Sequence, residues 1–266
     1  MAAVPSSDWG PRPPDQERAN GARIYDFLLG GAHNFAVDRE AVRRLLEINP
    51  EADKVARSNR QFVLRTVRYC LAQGIDQFLD LGSGVPTVGN VHEIAQATLP
   101  DARVLYVDNE RIAVEVTRSL LRDNDGAGVL HADLRQPDIV LAAPETGRLL
   151  DFTRPLAVLM NASVHYVPDS DDLPGILGAY RDRMPSGSYL VFSHLTDTAS
   201  GGARVFSESG TPVTLRGKAE IAALLRDFDL VPPGLVYVPE WQPTGEEIYA
   251  DTPERSKCYG AVGLRA

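Results

Sequence analysis

From residue 77 onward, short apolar runs alternate with amphipathic stretches, and this alternation narrows the possible folds more than any other feature. "QFLDL" (77–81), "RVLYVD" (103–108), "PLAVLMNA" (155–162) and "SYLVFSHL" (188–195) are apolar almost throughout, with a shorter run at "GVLHAD" (128–133). Strands of this kind are buried on both faces, as happens when helices cover a parallel sheet from two sides. The intervening stretches have helical spacing: Leu173, Ile176, Leu177, Tyr180 and Met184 share a face, as do Ile221, Leu224, Leu225 and Phe228. The last two runs, "GLVYVPEW" (234–241) and "KCYGAVGLR" (257–265), have no helix between them and should pair antiparallel. The expected class is α/β: a doubly wound, seven-stranded, mostly parallel sheet with an antiparallel C-terminal hairpin.

Three helical patterns precede the sheet: "ARIYDFLLGG" (22–31), "VDREAVRRLLEINP" (37–50) and a long one over 51–74 that ends at Gly74. The expected organisation is a disordered, proline-rich tail over 1–19, a helical cap or lid over 20–74, and a ligand-binding domain over 75–266. Cap and domain form one globular unit, because so short a helical segment would bury little alone. The chain has 266 residues and a formal charge of −9, which argues against a general nucleic-acid binder. Its densest basic stretch places Arg57, Arg60, Arg65 and Arg68 at helical spacing and reads as a solvated or ion-paired helix face. No run is long enough to span a bilayer, and the first residues lack a signal-peptide pattern. Cys70 and Cys258 have no partner at metal-binding spacing, and neither do His33, His92 and His131, so no metal is expected. A cytoplasmic protein with no membrane partner is the expectation.

The strand "FLDL" runs into "GSGVPTVGN", a glycine turn that would present Gly82, Ser83 and Gly84 at the ligand edge of the sheet. A dinucleotide fingerprint needs a third glycine at position 87, where Thr87 stands, and a Walker loop needs a lysine that is absent. Pro86 is expected where the following helix begins. A ligand without phosphates fits this turn best. Asp108 ends the second run at the distance expected of a carboxylate reaching a ribose diol. Asp133 follows the third run, placed to accept from an exocyclic amine, with Leu134 beside an adenine ring. Each aspartate has a plain alternative, as a helix cap or turn starter, but on successive strand ends they outline an adenosine site.

At these residues the chain resembles a class I S-adenosylmethionine (SAM)-dependent methyltransferase of Rossmann-like fold. More narrowly it is similar to a bacterial methyltransferase family formerly known only as a domain of unknown function. The narrower likeness rests on "ARIYDFLLGGAHNFAVDRE", "FLDLGSGVPTVGNVHE", "VLYVDNE", "ADLRQP", "VHYVPD", "GSYLVFSH" and "PGLVYVPEW". The resemblance implies that Gly82 and Gly84 pass under the methionine and ribose of the cofactor and that Asp108 holds the ribose hydroxyls. It further implies that Asn109 lies beside the adenine, that Asp133 and Leu134 bracket the base edge, and that Asn161 lies near the methionine. The third glycine of the class motif is replaced here by Pro86.

The N-terminal signature has two accounts. In one it is a lid, with Tyr25 or Phe35 against the sulfonium and Asn34 and Arg39 on the methionine carboxylate. In the other, Gly30 and Gly31 end one helix, Phe35 staples the next and Arg39 is a surface residue. His165, after the fourth strand, is the first candidate for a general base and His194 the second, although a lone histidine is more often structural. The polar excursion over 196–217 is where acceptor specificity is expected. The leading function is methyl transfer to a small-molecule acceptor. The alternatives are a catalytically silent SAM-binding regulator and a nicotinamide-dependent oxidoreductase, the latter disfavoured by Thr87. Acceptor, methylated atom and oligomeric state are not specified by the sequence.

Overall fold

The structure, a computed structural model, describes residues 16–87 and 89–266. Most of the tail expected over 1–19 lies outside the described residues. Its last two positions are tied down: the Arg18 carbonyl accepts from Arg23 at 2.5 Å and the Ala19 carbonyl from Thr211 at 2.7 Å.

The chain opens with helices α1 (Gly21–Leu28), α2 (Ala36–Ile48) and α3 (Ala52–Ala72). Asn20 caps α1 by accepting from the Ala22 N–H at 2.8 Å. The Asp38 carboxylate reaches back to the Phe35 N–H at 2.8 Å and so fixes the start of α2. There follow β1 (Gln77–Leu81), α4 (Val91–Thr98), β2 (Arg103–Asp108), α5 (Arg111–Leu120), β3 (Ala127–His131), α6 (Pro137–Ala142), α7 (Pro144–Leu149) and β4 (Ala157–Asn161). The remainder is α8 (Leu173–Arg181), β5 (Tyr189–Leu195), α9 (Ser200–Glu208), α10 (Lys218–Leu224), β6 (Asp229–Leu230), β7 (Val236–Tyr237) and β8 (Cys258–Leu264).

The strands lie in the order β3-β2-β1-β4-β5-β8-β6, with β7 also paired to β8. β1 to β5 are mutually parallel, and β8 runs antiparallel to β5 from Tyr189↔Leu264 to Leu195↔Cys258. The α/β class, the parallel core and the antiparallel C-terminal pairing therefore agree with the sequence reading. Alternation along each strand sorts the core into two layers. Leu79, Leu81, Leu105 and Val107 pack with α6, α7, α8 and α10, while Phe78, Val104 and Tyr106 pack with α3, α4 and Trp241. By the same alternation Asp80 and Asp108 fall on the α3 side. Strand order reverses between β1 and β4, which opens a crevice beyond their carboxyl ends.

Four local expectations give way. "GLVYVPEW" forms a strand only at Val236–Tyr237 and then turns at Val238–Glu240. The carbonyls of Val238 and Trp241 are taken by buried Arg65, at 2.5 and 3.0 Å, instead of by a ladder. The short strand β6, which the sequence pattern did not suggest, also pairs with β8. The excursion over 196–217 contains the helix α9, despite the glycines that argue against one. A Cβ on Gly201 would come within 2.8 Å of Ile48 and one on Gly202 within 3.1 Å of Leu45, so these glycines let α9 close onto α2. Finally, Pro86 lies in a loop: α4 starts at Val91, with Asn90 at its cap position and Glu93 accepting from the Asn90 N–H at 2.9 Å.

Candidate functional site

Beyond β1 the chain must turn sharply beneath whatever occupies the crevice. Gly82 has φ of 74° and Gly84 of 69°, a region that side-chain-bearing residues rarely enter. The Gly82 N–H is anchored on the Val107 carbonyl at 2.8 Å. A Cβ on Gly82 would stand 2.4 Å from the Ser163 Cβ, so the turns after β1 and β4 touch only because this residue is glycine. Around Gly84 the corresponding space is open, and its N–H donates to the Asp108 carboxylate at 2.7 Å.

Asp108 is 6% exposed and receives a second backbone donor, the Glu110 N–H, at 2.7 Å. Burial nevertheless pushes its carboxyl up to about 6. An ionised carboxylate has about four acceptor positions, so two backbone donors leave each oxygen able to accept once more. Asp80 lies beside it in the cleft, where burial, opposed by Arg60 and reinforced by Asp108, pushes it up to about 7. Asp133 differs. Burial again works against its ionisation, but Arg135 outweighs that and holds it below the usual carboxylate range. Arg135 binds Asp133 at 2.6 Å and Asp171 at 2.7 Å, while Asn109 donates to Asp133 at 3.4 Å. The Leu134 carbonyl accepts from Tyr180 at 2.9 Å, which fixes that backbone at the cleft wall.

After β4, Ala162 has φ of 50°, and its N–H is held by the Ser193 carbonyl at 3.1 Å. The residues around it line the cleft with polar atoms that have no partner. Ser83 Oγ, both side-chain atoms of Asn161, Ser163 Oγ and His165 Nδ1 are all buried without a hydrogen bond among the described residues. Buried polar atoms are paired in the great majority of cases, so five orphans on one cleft wall mark a surface suited to a polar ligand. Burial, with His194 and Arg216 alongside, holds the His165 imidazole well below its ordinary range, so at neutral pH it carries a lone pair.

His194 is placed differently from the sequence reading. It does not line the cleft. Its Nδ1 faces the Leu195 carbonyl at 2.6 Å and its Nε2 faces Arg216 at 2.9 Å. A carbonyl needs a donor and a guanidinium needs an acceptor, so His194 is neutral, protonated at Nδ1, with its lone pair already engaged. Arg216 continues to the carbonyls of Val164 and Val167 and to Asp169. It pins the turn that carries His165.

The N-terminal signature divides in two. Tyr25 lines the cleft, donating to the Ala56 carbonyl at 3.0 Å and accepting from Asn59 at 3.3 Å. Asn34 and Arg39 lie off its wall: Arg39 donates to Asn34 at 3.0 Å, and Asn34 donates to buried Asp26 at 2.8 Å. Phe35 stacks under Arg23, 5.1 Å from the guanidinium carbon, and also lies off the cleft wall. These three residues shape the turn between α1 and α2. Arg23, which the sequence reading passed over, joins Asp38 at 2.8 Å and Glu110 at 2.9 Å. That ties α1 to the loop carrying Asp108.

The cleft encloses about 580 Å³, within the usual range for small-molecule sites. It gathers Tyr25, Gly82, Ser83, Gly84, Asp108, Asn109, Asp133, Leu134, Asn161 and His165, leaving out Asn34, Arg39 and His194. It also brings in Asn59, Arg60, Asp80, Ser163 and Lys257. Asp80 had a signal, as the one charge in an otherwise apolar strand. Arg60 had none, since helical spacing alone cannot distinguish a cleft-facing from a solvated arginine, and Arg65 is buried outright.

Among the described residues, no helix is long and apolar enough to cross a membrane, and no group of three or more His, Cys, Asp or Glu is placed to hold a metal ion. A family profile described as S-adenosyl methyltransferase matches residues 7–266. A candidate methyltransferase from Thermobifida fusca YX is 37% identical, with a TM-score of 0.89, covering 97% of this chain and 99% of its own. A DUF574 family protein from Streptomyces avermitilis MA-4680 is also 37% identical, with a TM-score of 0.91 and coverage of 95% and 99%. The magnesium protoporphyrin IX methyltransferase of Synechocystis PCC 6803, solved with bound S-adenosylhomocysteine, shares the fold at 15% identity. Its TM-score is 0.53, and the match covers 91% of this chain and 93% of that one. Comparison with curated proteins gives no match. The profile match and the two relatives at 37% identity show that the chain belongs to the S-adenosyl methyltransferase family, as a SAM-dependent methyltransferase.

Proposed function

We propose that the chain methylates a small-molecule acceptor in this cleft, with His165 as the base that takes the acceptor's proton. The orphaned polar atoms of Ser83, Asn161, Ser163 and His165, converging beside Asp108, support this reading most directly. They fit the cofactor: a diol for the two remaining acceptor positions of Asp108, and an amino-acid portion for Asn161, Ser163 and Ser83. Arg60, with its fixed positive charge, replaces Asn34 and Arg39 as the proposed partner of the cofactor's carboxylate. Asp80 is the proposed counter-charge for its cationic part. Asp133 and Leu134 retain their proposed places at the base edge, with Asn109 beside them.

When bound, SAM supplies an electrophilic methyl group. The chain's own residues align the acceptor, exclude water and move a proton. His165 suits the last task because it is neutral at pH 7 and its turn is pinned by Arg216. Residues 20–74 act as a lid in this proposal, with Tyr25 as its aromatic on the cleft wall and the Arg23–Glu110 pair as its tether. Buried Cys70 and Cys258, both pushed up to about 12 by burial, suit a reducing, cytoplasmic setting. The comparisons give no support to a catalytically silent SAM-binding role.

Calorimetry with SAM, NAD and NADP tests the cofactor assignment: SAM alone should bind. Incubation with methyl-labelled SAM and an unfractionated cell extract, separated afterwards by size, tests the chemistry. Label appearing only in macromolecules would overturn the small-molecule acceptor.

A further inference from the structure

The cleft has two chemically different halves. The inner half holds every acidic residue of its wall, Asp80, Asp108 and Asp133, together with Arg60 and Arg135. The outer half, between the start of α3, the end of α2 and α9, is lined mainly by apolar residues, Leu45, Ile48, Val55, Ala199, Ala203 and Phe206, with Asn49, Thr198 and Thr211 as neutral polar ones. One charged side chain lines that half, Lys257. It is partly buried, and its ammonium has no carboxylate or hydrogen-bond partner among the described residues. Of the acids on neighbouring segments, Glu51 is engaged by Lys54 and Arg255 and Glu247 by Arg65, while Asp197 and Glu254 are exposed to solvent.

The backbone at Lys257 is also unusual. Its φ is 51°, a conformation that strongly favours glycine or asparagine. It is held there by its N–H on the Glu254 carbonyl at 3.2 Å and its carbonyl on the Thr196 N–H at 2.9 Å. Strained backbone that persists under such constraint concentrates at ligand sites. Here it sets a lone cation on an apolar wall.

Resting on the reading of this cleft as a methyltransferase site, we propose that the outer half binds an acceptor with an apolar body and one carboxylate, received by Lys257. A single ammonium matches a single negative charge. An ammonium group on the acceptor would meet a like charge, and a phosphate dianion would leave charge uncompensated against apolar walls. The held end and the methylated end are separate. Lys257 precedes β8, which lies two strands from β4 and His165, or on the order of 10 Å between backbones at the usual strand spacing. A fused bicyclic ring with a carboxylate at one end is the probe of that separation.

The test is calorimetry on the full chain saturated with S-adenosylhomocysteine, using 2-naphthoate, 2-naphthylmethanol, 2-naphthylmethylammonium and 2-naphthyl phosphate. Binding of S-adenosylhomocysteine is measured first, and its failure strikes the cofactor reading, not this one. The naphthoate is expected to bind at least tenfold more tightly than the alcohol or the ammonium. Lys257→Met should abolish that preference, Lys257→Arg should retain it, and both should leave S-adenosylhomocysteine affinity within twofold. The wild-type panel stands even if a variant does not fold. Equal or tighter binding of the alcohol or ammonium overturns the proposal, as does no detectable naphthoate binding at millimolar concentration. Tighter binding of the phosphate overturns the carboxylate, and an unchanged preference in Lys257→Met overturns the role of the lysine.

Discussion

Replacing Asp108 with asparagine separates what this residue does for the fold from what it does for the ligand. The carboxyl is buried and pushed up to about 6. Against an unfolded value near 3.9, that shift means that ionising it in the native state costs about 3 kcal/mol. Asparagine removes this cost, but its amide nitrogen faces one of the two backbone N–H groups of Gly84 and Glu110. An unsatisfied buried donor costs about 1–3 kcal/mol. At pH 8 the two terms nearly cancel, and the midpoint of thermal unfolding should move by only a few degrees. The pH dependence has a definite sign. A raised native pKa contributes stability that is complete below the unfolded value and is lost as pH rises through about 6. Asp108→Asn lacks this term, so its deficit against wild type should be larger at pH 4.5 than at pH 8. Binding of SAM should weaken at least tenfold, or about 1.4 kcal/mol, because a charged acceptor of two hydroxyls becomes a neutral acceptor of one. Thermal scans at the two pH values and calorimetry at pH 8 provide the readout. Undiminished SAM affinity, or a deficit that grows with pH, would refute the reasoning.

Three further perturbations address separate parts of the site. Gly82→Ala meets both a φ of 74° and the Ser163 Cβ at 2.4 Å, so urea unfolding should show a loss of at least ~2 kcal/mol. His165→Ala should lower turnover by about 10²–10⁴-fold with SAM affinity unchanged, and full turnover would remove the proposed base. In wild type at saturating SAM, the low pKa of His165 should keep the rate level as pH falls through 6.5. Arg23→Met breaks a pair whose carboxylate, Asp38, is fully buried. It should destabilise by about 3–5 kcal/mol and speed SAM release in stopped-flow chase experiments, and an unchanged release rate would argue against a tethered lid.

The chain's own order determined the parallel sheet, the glycine turn and the strand ends carrying Asp108 and Asp133, because each depends on local periodicity or on chemistry within a few residues. Asp80 was legible in principle for the same reason, as a charge at an inward position of β1. The tertiary structure alone decided which distant side chains meet. Asn34 and Arg39, which have the right chemistry for a carboxylate, are turned away by Asp26 and by each other, while Arg60 comes from a helix face that looked solvated. His194 loses its lone pair to Arg216, twenty-two residues further on. Helix α9 forms against local propensity because Gly201 and Gly202 let it close onto α2. Periodicity fixes which way a residue faces on its own element, but the element that faces it back is chosen by packing, and the acceptor half of the cleft is made of such pairings.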